Sequence, residues 1–147
     1  MNQPKIKPNS MPWVTPYVAV SDVKASVEFY KKVFGFKTTF TLPDDNGKLV
    51  HAELTWHDQM IMLGDQTQYT NGTVTPNDSN TNSPIVLYLY HDDVEAFYKH
   101  ATTNGAESVL SPEDTFWGDR MCRVKDRDGY VWSFATLKPD AKPCGNN

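Results

Sequence analysis

The chain has 147 residues, 39% of them hydrophobic and 22% charged, with a formal net charge of −4 at pH 7, a profile of one folded domain rather than a disordered segment. No basic run is longer than Lys31-Lys32, which argues against a nucleic-acid partner. No stretch approaches the roughly 18 apolar residues that a membrane span needs, and residues 1–11 are polar, without the apolar centre of a signal peptide, so the reading is a cytoplasmic protein with no membrane partner and with Cys122 and Cys144 as free thiols.

In chain order, residues 13–20 alternate and predict a strand, with Thr15, Tyr17 and Ala19 on one face and Val18 and Val20 on the other. Asp22 is placed to cap a helix over 22–34, whose stripe Val23, Val27, Tyr30 and Phe34 is apolar at helical spacing, and Gly35 supplies the left-handed stop. A strand over 37–42, a turn at Asp44-Asp45-Asn46-Gly47 and a hairpin over 48–63 follow. Residues 66–83, rich in Asn and Thr and broken by Pro76, read as a linker.

The same order then returns: a strand over 85–90, a helix over 93–104 behind Asp93, Gly105, a strand over 107–110 and a hairpin over 119–136. Val86, Tyr88 and Tyr90 oppose Leu87 and Leu89, and near the end Val131, Ser133 and Ala135 oppose Trp132 and Phe134. The purely apolar sets should pack on the helices and the mixed sets should line a cavity. The chain is therefore read as α+β, one domain over 12–137 made of two β-α-β-β-β modules (12–65 and 84–137), with flexible ends at 1–11 and 138–147.

Two groups carry candidate chemistry. His51 and Glu53 lie two apart on a strand, so they point the same way and form a candidate catalytic acid/base pair; a partly solvated polar face accounts for them too. Trp117 and Arg120 flank Gly118 and Asp119. Trp117 can stack on a planar ligand and Arg120 can hold a carboxylate, while a turn locked by charge and capped by an aromatic explains the same residues equally well. His57 falls in a hairpin turn, and His91 and His100 fall near helix ends as surface residues.

Tyr17-Val-Ala-Val-Ser-Asp-Val, Phe29-Tyr30, Gly35-Phe36, His51-Ala-Glu-Leu54 and Met60-Ile-Met-Leu63 resemble the first module of the glyoxalase/bleomycin-resistance/dioxygenase (vicinal oxygen chelate) superfamily. Phe116-Trp-Gly-Asp-Arg120 and Asp126-Arg-Asp-Gly129-Tyr-Val-Trp132 are similar to its PhnB-like branch. The resemblance implies two modules whose sheets curve into a half-open barrel, with a ligand on the concave face. It also implies four metal-ligand positions, which fall here on Thr15, Met62, Val86 and Ser133; none is an ordinary ligand for a divalent metal. No metal and no cofactor is therefore expected. The expected ligand is a small aromatic molecule, an antibiotic or metabolite, held by Thr15, Tyr17, Met62, Tyr88, Tyr90, Trp117, Arg120 and Ser133. A lyase, isomerase or dioxygenase with a non-standard metal or acid/base site is the alternative. The resemblance further implies a homodimer.

Overall fold

The computed structural model describes residues 6–68 and 72–140; Cys144 and the outer parts of the two expected flexible ends lie outside them. The first module runs β1 (Tyr17–Val20), α1 (Val23–Phe29) with a π-helical continuation over Tyr30–Phe34, β2 (Lys37–Pro43), β3 (Leu49–Trp56) and β4 (Gln59–Asp65). A short helix, α2 (Pro76–Ser79), lies in the connection. The second module runs β5 (Val86–Tyr90), α3 (Val94–Thr103), β6 (Glu107–Asp114), β7 (Asp119–Lys125) and β8 (Val131–Leu137). Each module folds into a four-stranded sheet, ordered β1-β4-β3-β2 and β5-β8-β7-β6. The outer strand β1 or β5 runs parallel to β4 or β8, and every other pairing is antiparallel. Neither sheet closes on itself, so the fold is the expected α+β pair of modules in a half-open barrel.

The local signals that set these elements are at work in the structure. The Asp22 carboxylate accepts the Ala25 N–H at 2.9 Å and the Asp93 carboxylate accepts the Ala96 N–H at 3.0 Å, so each satisfies a first-turn donor that the helix itself cannot. Gly35 ends the first helix at φ +78°, a left-handed backbone that glycine adopts without a Cβ clash. One boundary moves: the first strand begins at Tyr17, not at residue 13. Pro16 has no N–H to give a ladder and only its carbonyl pairs, accepting Met62 N–H at 2.9 Å. Thr15 therefore lies before the strand. In the second module β6 runs four residues past the expected end, to Asp114, through two register shifts against β7.

The core sits between the helices and the helix-side faces of both sheets as a single cluster. Tyr30, Phe34, Trp132 and Phe134 are its largest fully buried side chains, and each such ring contributes roughly 1.5–3 kcal/mol by leaving water. Phe34 touches Phe97, Trp132 and Phe134, with ring centroids 6.0, 5.5 and 5.2 Å away, so one ring of the first module is embedded among three of the second. Polar groups lock the same joint. The Asp126 carboxylate accepts the Tyr30 hydroxyl at 2.5 Å and the Trp132 Nε1–H at 2.9 Å. The Asp128 carboxylate accepts the Ser21 and Ser26 hydroxyls at 2.6 and 2.9 Å. The Asp126-to-Gly129 turn thus ties the second module to the first helix. The connection docks here as well, because Asn77 N–H donates to Asp128 O at 3.1 Å and Asn77 Nδ2 to Arg127 O at 3.0 Å. No helix among the described residues is long and apolar enough to cross a membrane.

Candidate functional site

The face of each sheet turned away from the helices is set by strand register. On the first sheet one row across the strands reads Phe40, Glu53, Met62 and Tyr17, and the next reads Leu42, His51, Gly64 and Ala19. Four of the candidate residues, His51, Glu53, Met62 and Tyr17, therefore share this face. The Tyr17 hydroxyl lies 3.3 Å from His51 Nδ1, and His51 Nε2 lies 3.7 Å from Glu53 Oε1. Gly64 makes this possible: a Cβ there would stand 2.6 Å from the Tyr17 hydroxyl oxygen, so only glycine leaves room for the ring to lie across the sheet. The result is a tyrosine–imidazole–carboxylate chain, rimmed by Phe40 and Leu42. Both imidazole nitrogens face a polar group, an arrangement that can pass or hold a proton.

On the second sheet the corresponding rows read Arg123, Ser133 and Tyr88, then Met121, Ala135 and Tyr90, with Asp119 opposite Leu137 beyond them. Tyr88 and Tyr90 are 42% and 57% exposed, whereas Trp132 and Phe134, on the opposite face of β8, are fully buried. Three rings converge on Asp119, which is itself buried. The Tyr88 hydroxyl, the Tyr90 hydroxyl and the Trp117 Nε1–H donate to its Oδ2 at 2.6, 3.1 and 3.0 Å. Burial and the carboxylate push the Tyr88 hydroxyl up to about 12, and the same two causes raise Tyr90, so both rings stay protonated donors at neutral pH. Ser133 is buried, and its Oγ accepts the Arg123 Nε–H at 3.3 Å.

Arg120 does not join this group. It alternates with Asp119 and pairs with Glu95 on α3 and with Asp114 at 3.0 Å, on the helix side of β7. Two residues that the sequence reading did not select belong to the concave face: Asp119, the acceptor for three rings, and Arg123. The alternation Asp119, Met121, Arg123 would have found both. His91 is also not a plain surface residue. Its ring stacks on Trp56 at 5.4 Å and 16°, and burial pulls it below the ordinary histidine value, outweighing the nearby Asp92 and Asp93.

Between the two outer strands lies a cavity of about 440 Å³, lined by Pro16, Tyr17, Ala19, Ile85, Leu87 and Val131 among others. It is mostly apolar and falls within the size range of small-molecule sites. Its lining takes Tyr17 and Val131 from the concave faces but Leu87, with Ile85 just before the strand, from the opposite face of β5, and the Arg123–Ser133–Tyr88 row does not line it. Of the four positions where the resemblance implies metal ligands, Thr15 lies outside the strand, and Met62, Val86 and Ser133 offer a thioether, an alkyl group and a hydroxyl; this donor set does not fit a divalent transition metal. Among the described residues no three His, Cys, Asp or Glu side chains are grouped to hold a metal ion. The Cys122 thiol is buried and pushed up to about 11 by that burial, so it is no nucleophile at neutral pH.

Residues 10–134 match the family model described as Glyoxalase/Bleomycin resistance protein/Dioxygenase superfamily. The uncharacterized protein Mb0911c of Mycobacterium bovis is 34% identical over 127 residues, covering 85% of this chain and 83% of its own. Among solved structures, TioX from Micromonospora sp. ML1 superposes with a TM-score of 0.67 at 26% identity, covering 84% of this chain and 98% of that one. TnmS3 from Streptomyces sp. CB03234, described as an antibiotic binding protein, gives a TM-score of 0.62 at 23% identity over 83% of this chain and 92% of its own.

Proposed function

The chain belongs to the glyoxalase/bleomycin resistance protein/dioxygenase superfamily, and from that premise we propose that it binds a small planar aromatic molecule, an antibiotic or metabolite, without a metal. The observation that carries the reading is the concave face of the second sheet. Tyr88, Tyr90 and Trp117 are held by one buried carboxylate. Rings fixed in this way lose little freedom when a ligand stacks on them, which favours binding. TnmS3, which shares the fold, is described as an antibiotic binding protein, and the Trp117–Asp119 contact lies in the segment 116–120 that resembles the PhnB-like branch. We further propose a homodimer, in which pairing of modules between two copies completes the ligand cavities. The test is titration of intrinsic fluorescence with a panel of planar aromatic antibiotics and metabolites. Saturable quenching by a panel member, weakened in Trp117→Leu, supports the reading, and a panel that never quenches contradicts it.

A second reading has its own observation. The Tyr17–His51–Glu53 chain on the first sheet supports a lyase or isomerase that moves a proton by acid/base chemistry. It requires turnover that His51→Gln abolishes while leaving ligand affinity within a few-fold. Binding without turnover of any bound panel member speaks for the first reading.

A further inference from the structure

We infer that this site selects ligands bearing a carboxylate and that Arg123 is the residue that reads it; the inference rests on the aromatic-binding reading of the same face. The chain has three arginines. Arg120 pairs with Glu95 and Asp114, and Arg127 lies 3.4 Å from Asp128. Arg123 is half-buried on the concave face, and the ion pairs among the described residues do not include it. Its Nε–H goes to the Ser133 hydroxyl at 3.3 Å, a neutral partner that leaves the other guanidinium N–H groups open to an anion. A half-buried guanidinium keeps part of its water, and an anion brought by a ligand replaces that water with charge-assisted hydrogen bonds.

The surroundings narrow the class. The face already has a carboxylate, Asp119, but that oxygen is engaged by three neutral donors and stands four residues along β7 from Arg123. Along β7 this face carries Asp119, Arg123 and Lys125, and Lys125 has its own partner in Glu107 at 3.3 Å. Around Arg123 the neighbouring rows supply an apolar frame, Met121 and Ala135 on one side and Val131 and Val86 on the other, with Glu113 and Lys125 at the outer ends of those rows. Tyr88 shares the row of Arg123 itself. With Lys125, the other cation on this face of β7, held by Glu107, one guanidinium is left rather than the several donors a phosphate takes. A planar carboxylate takes a bidentate contact from one guanidinium while its ring lies on the apolar frame. The class that fits is a small aromatic carboxylic acid.

The experiment compares 2-naphthoate with its neutral methyl ester by calorimetric titration of the full chain at pH 7. The acid is expected to bind tighter by on the order of tenfold, the size of one charge-assisted contact. In Arg123→Gln that advantage should fall to within about twofold, and Arg123→Lys should recover part of it. Equal affinity for acid and ester in the wild-type protein overturns the inference while leaving aromatic binding intact, and this comparison holds even where a variant fails to fold. An acid advantage that survives Arg123→Gln overturns Arg123 as its source. Failure of both compounds to bind overturns the aromatic-binding reading and this inference with it.

Discussion

Asp119 is the residue on which the second sheet's concave face depends. It is buried and negatively charged, and its donors come from β5 and from the turn before β7, so removing it strands three polar groups at once. Asp119→Ala is expected to cost about 1.5–3 kcal/mol, the range for hydrogen bonds to a charged group, because the half-exposed tyrosines can turn to water; urea denaturation reads this directly. The same variant should bind aromatic ligands more weakly, since the rings lose their fixed poses. The residue was visible in the sequence only as part of a turn. Its partners Tyr88 and Tyr90 lie 31 and 29 residues away, and nothing local announces that β5 pairs with β8 and β8 with β7. Arg123 was missed for a different reason. Arg120 adjoins Trp117-Gly118-Asp119 in the chain, whereas simple alternation from Asp119 puts Arg120 on the helix side and Arg123 on the concave side.

At the scale of elements, the period of two made the faces of β5 and β8 legible. Trp132 and Phe134 face the helices, while Ser133 shares a row with Tyr88. The comparison of two truncations tests this placement. Trp132→Ala empties a fully buried site and should cost about 3–5 kcal/mol. Tyr88→Ala removes a ring that is 42% exposed, so it should cost the fold distinctly less while weakening binding by about 1–3 kcal/mol, a range taken from ring stacking on bases. A Tyr88→Ala protein that unfolds beside an intact Trp132→Ala protein would reverse the two faces. Other element features were not legible. The Asp126-to-Gly129 turn reads in the sequence as a motif, yet its physical work is to hold Tyr30, Ser21 and Ser26 from about a hundred residues upstream, a non-local contact that no spacing encodes. The connection was read as a linker, and α2 docks on this same turn.

For the whole molecule, the two modules meet through buried rings and through the Trp56–His91 stack, where Trp56 Nε1–H also donates to Tyr90 O at 3.2 Å. Burial lowers the His91 folded-state value below its ordinary 6.5. The sign follows from linkage: the unfolded chain binds the proton more readily, so the contribution is complete above about pH 6.5 and is lost as pH falls through the lower folded-state value. Denaturation midpoints of wild type and His91→Gln should converge between pH 7.5 and pH 5, and a pH-independent gap would contradict the assignment. Several large apolar side chains stand open, including Trp13, Val14 and Phe116, the last 94% exposed. A second copy is the proposed cover; sedimentation at micromolar concentration should give twice the chain mass, and a monomer counts against the pairing. The most direct test of metal-free aromatic binding is a ligand titration on protein stripped with EDTA, repeated after resupply of Fe(II), Ni(II), Zn(II) or Mn(II). The account predicts the same affinity in every case, within about twofold, because no step of recognition passes through a metal. Binding that appears only on resupply would contradict it.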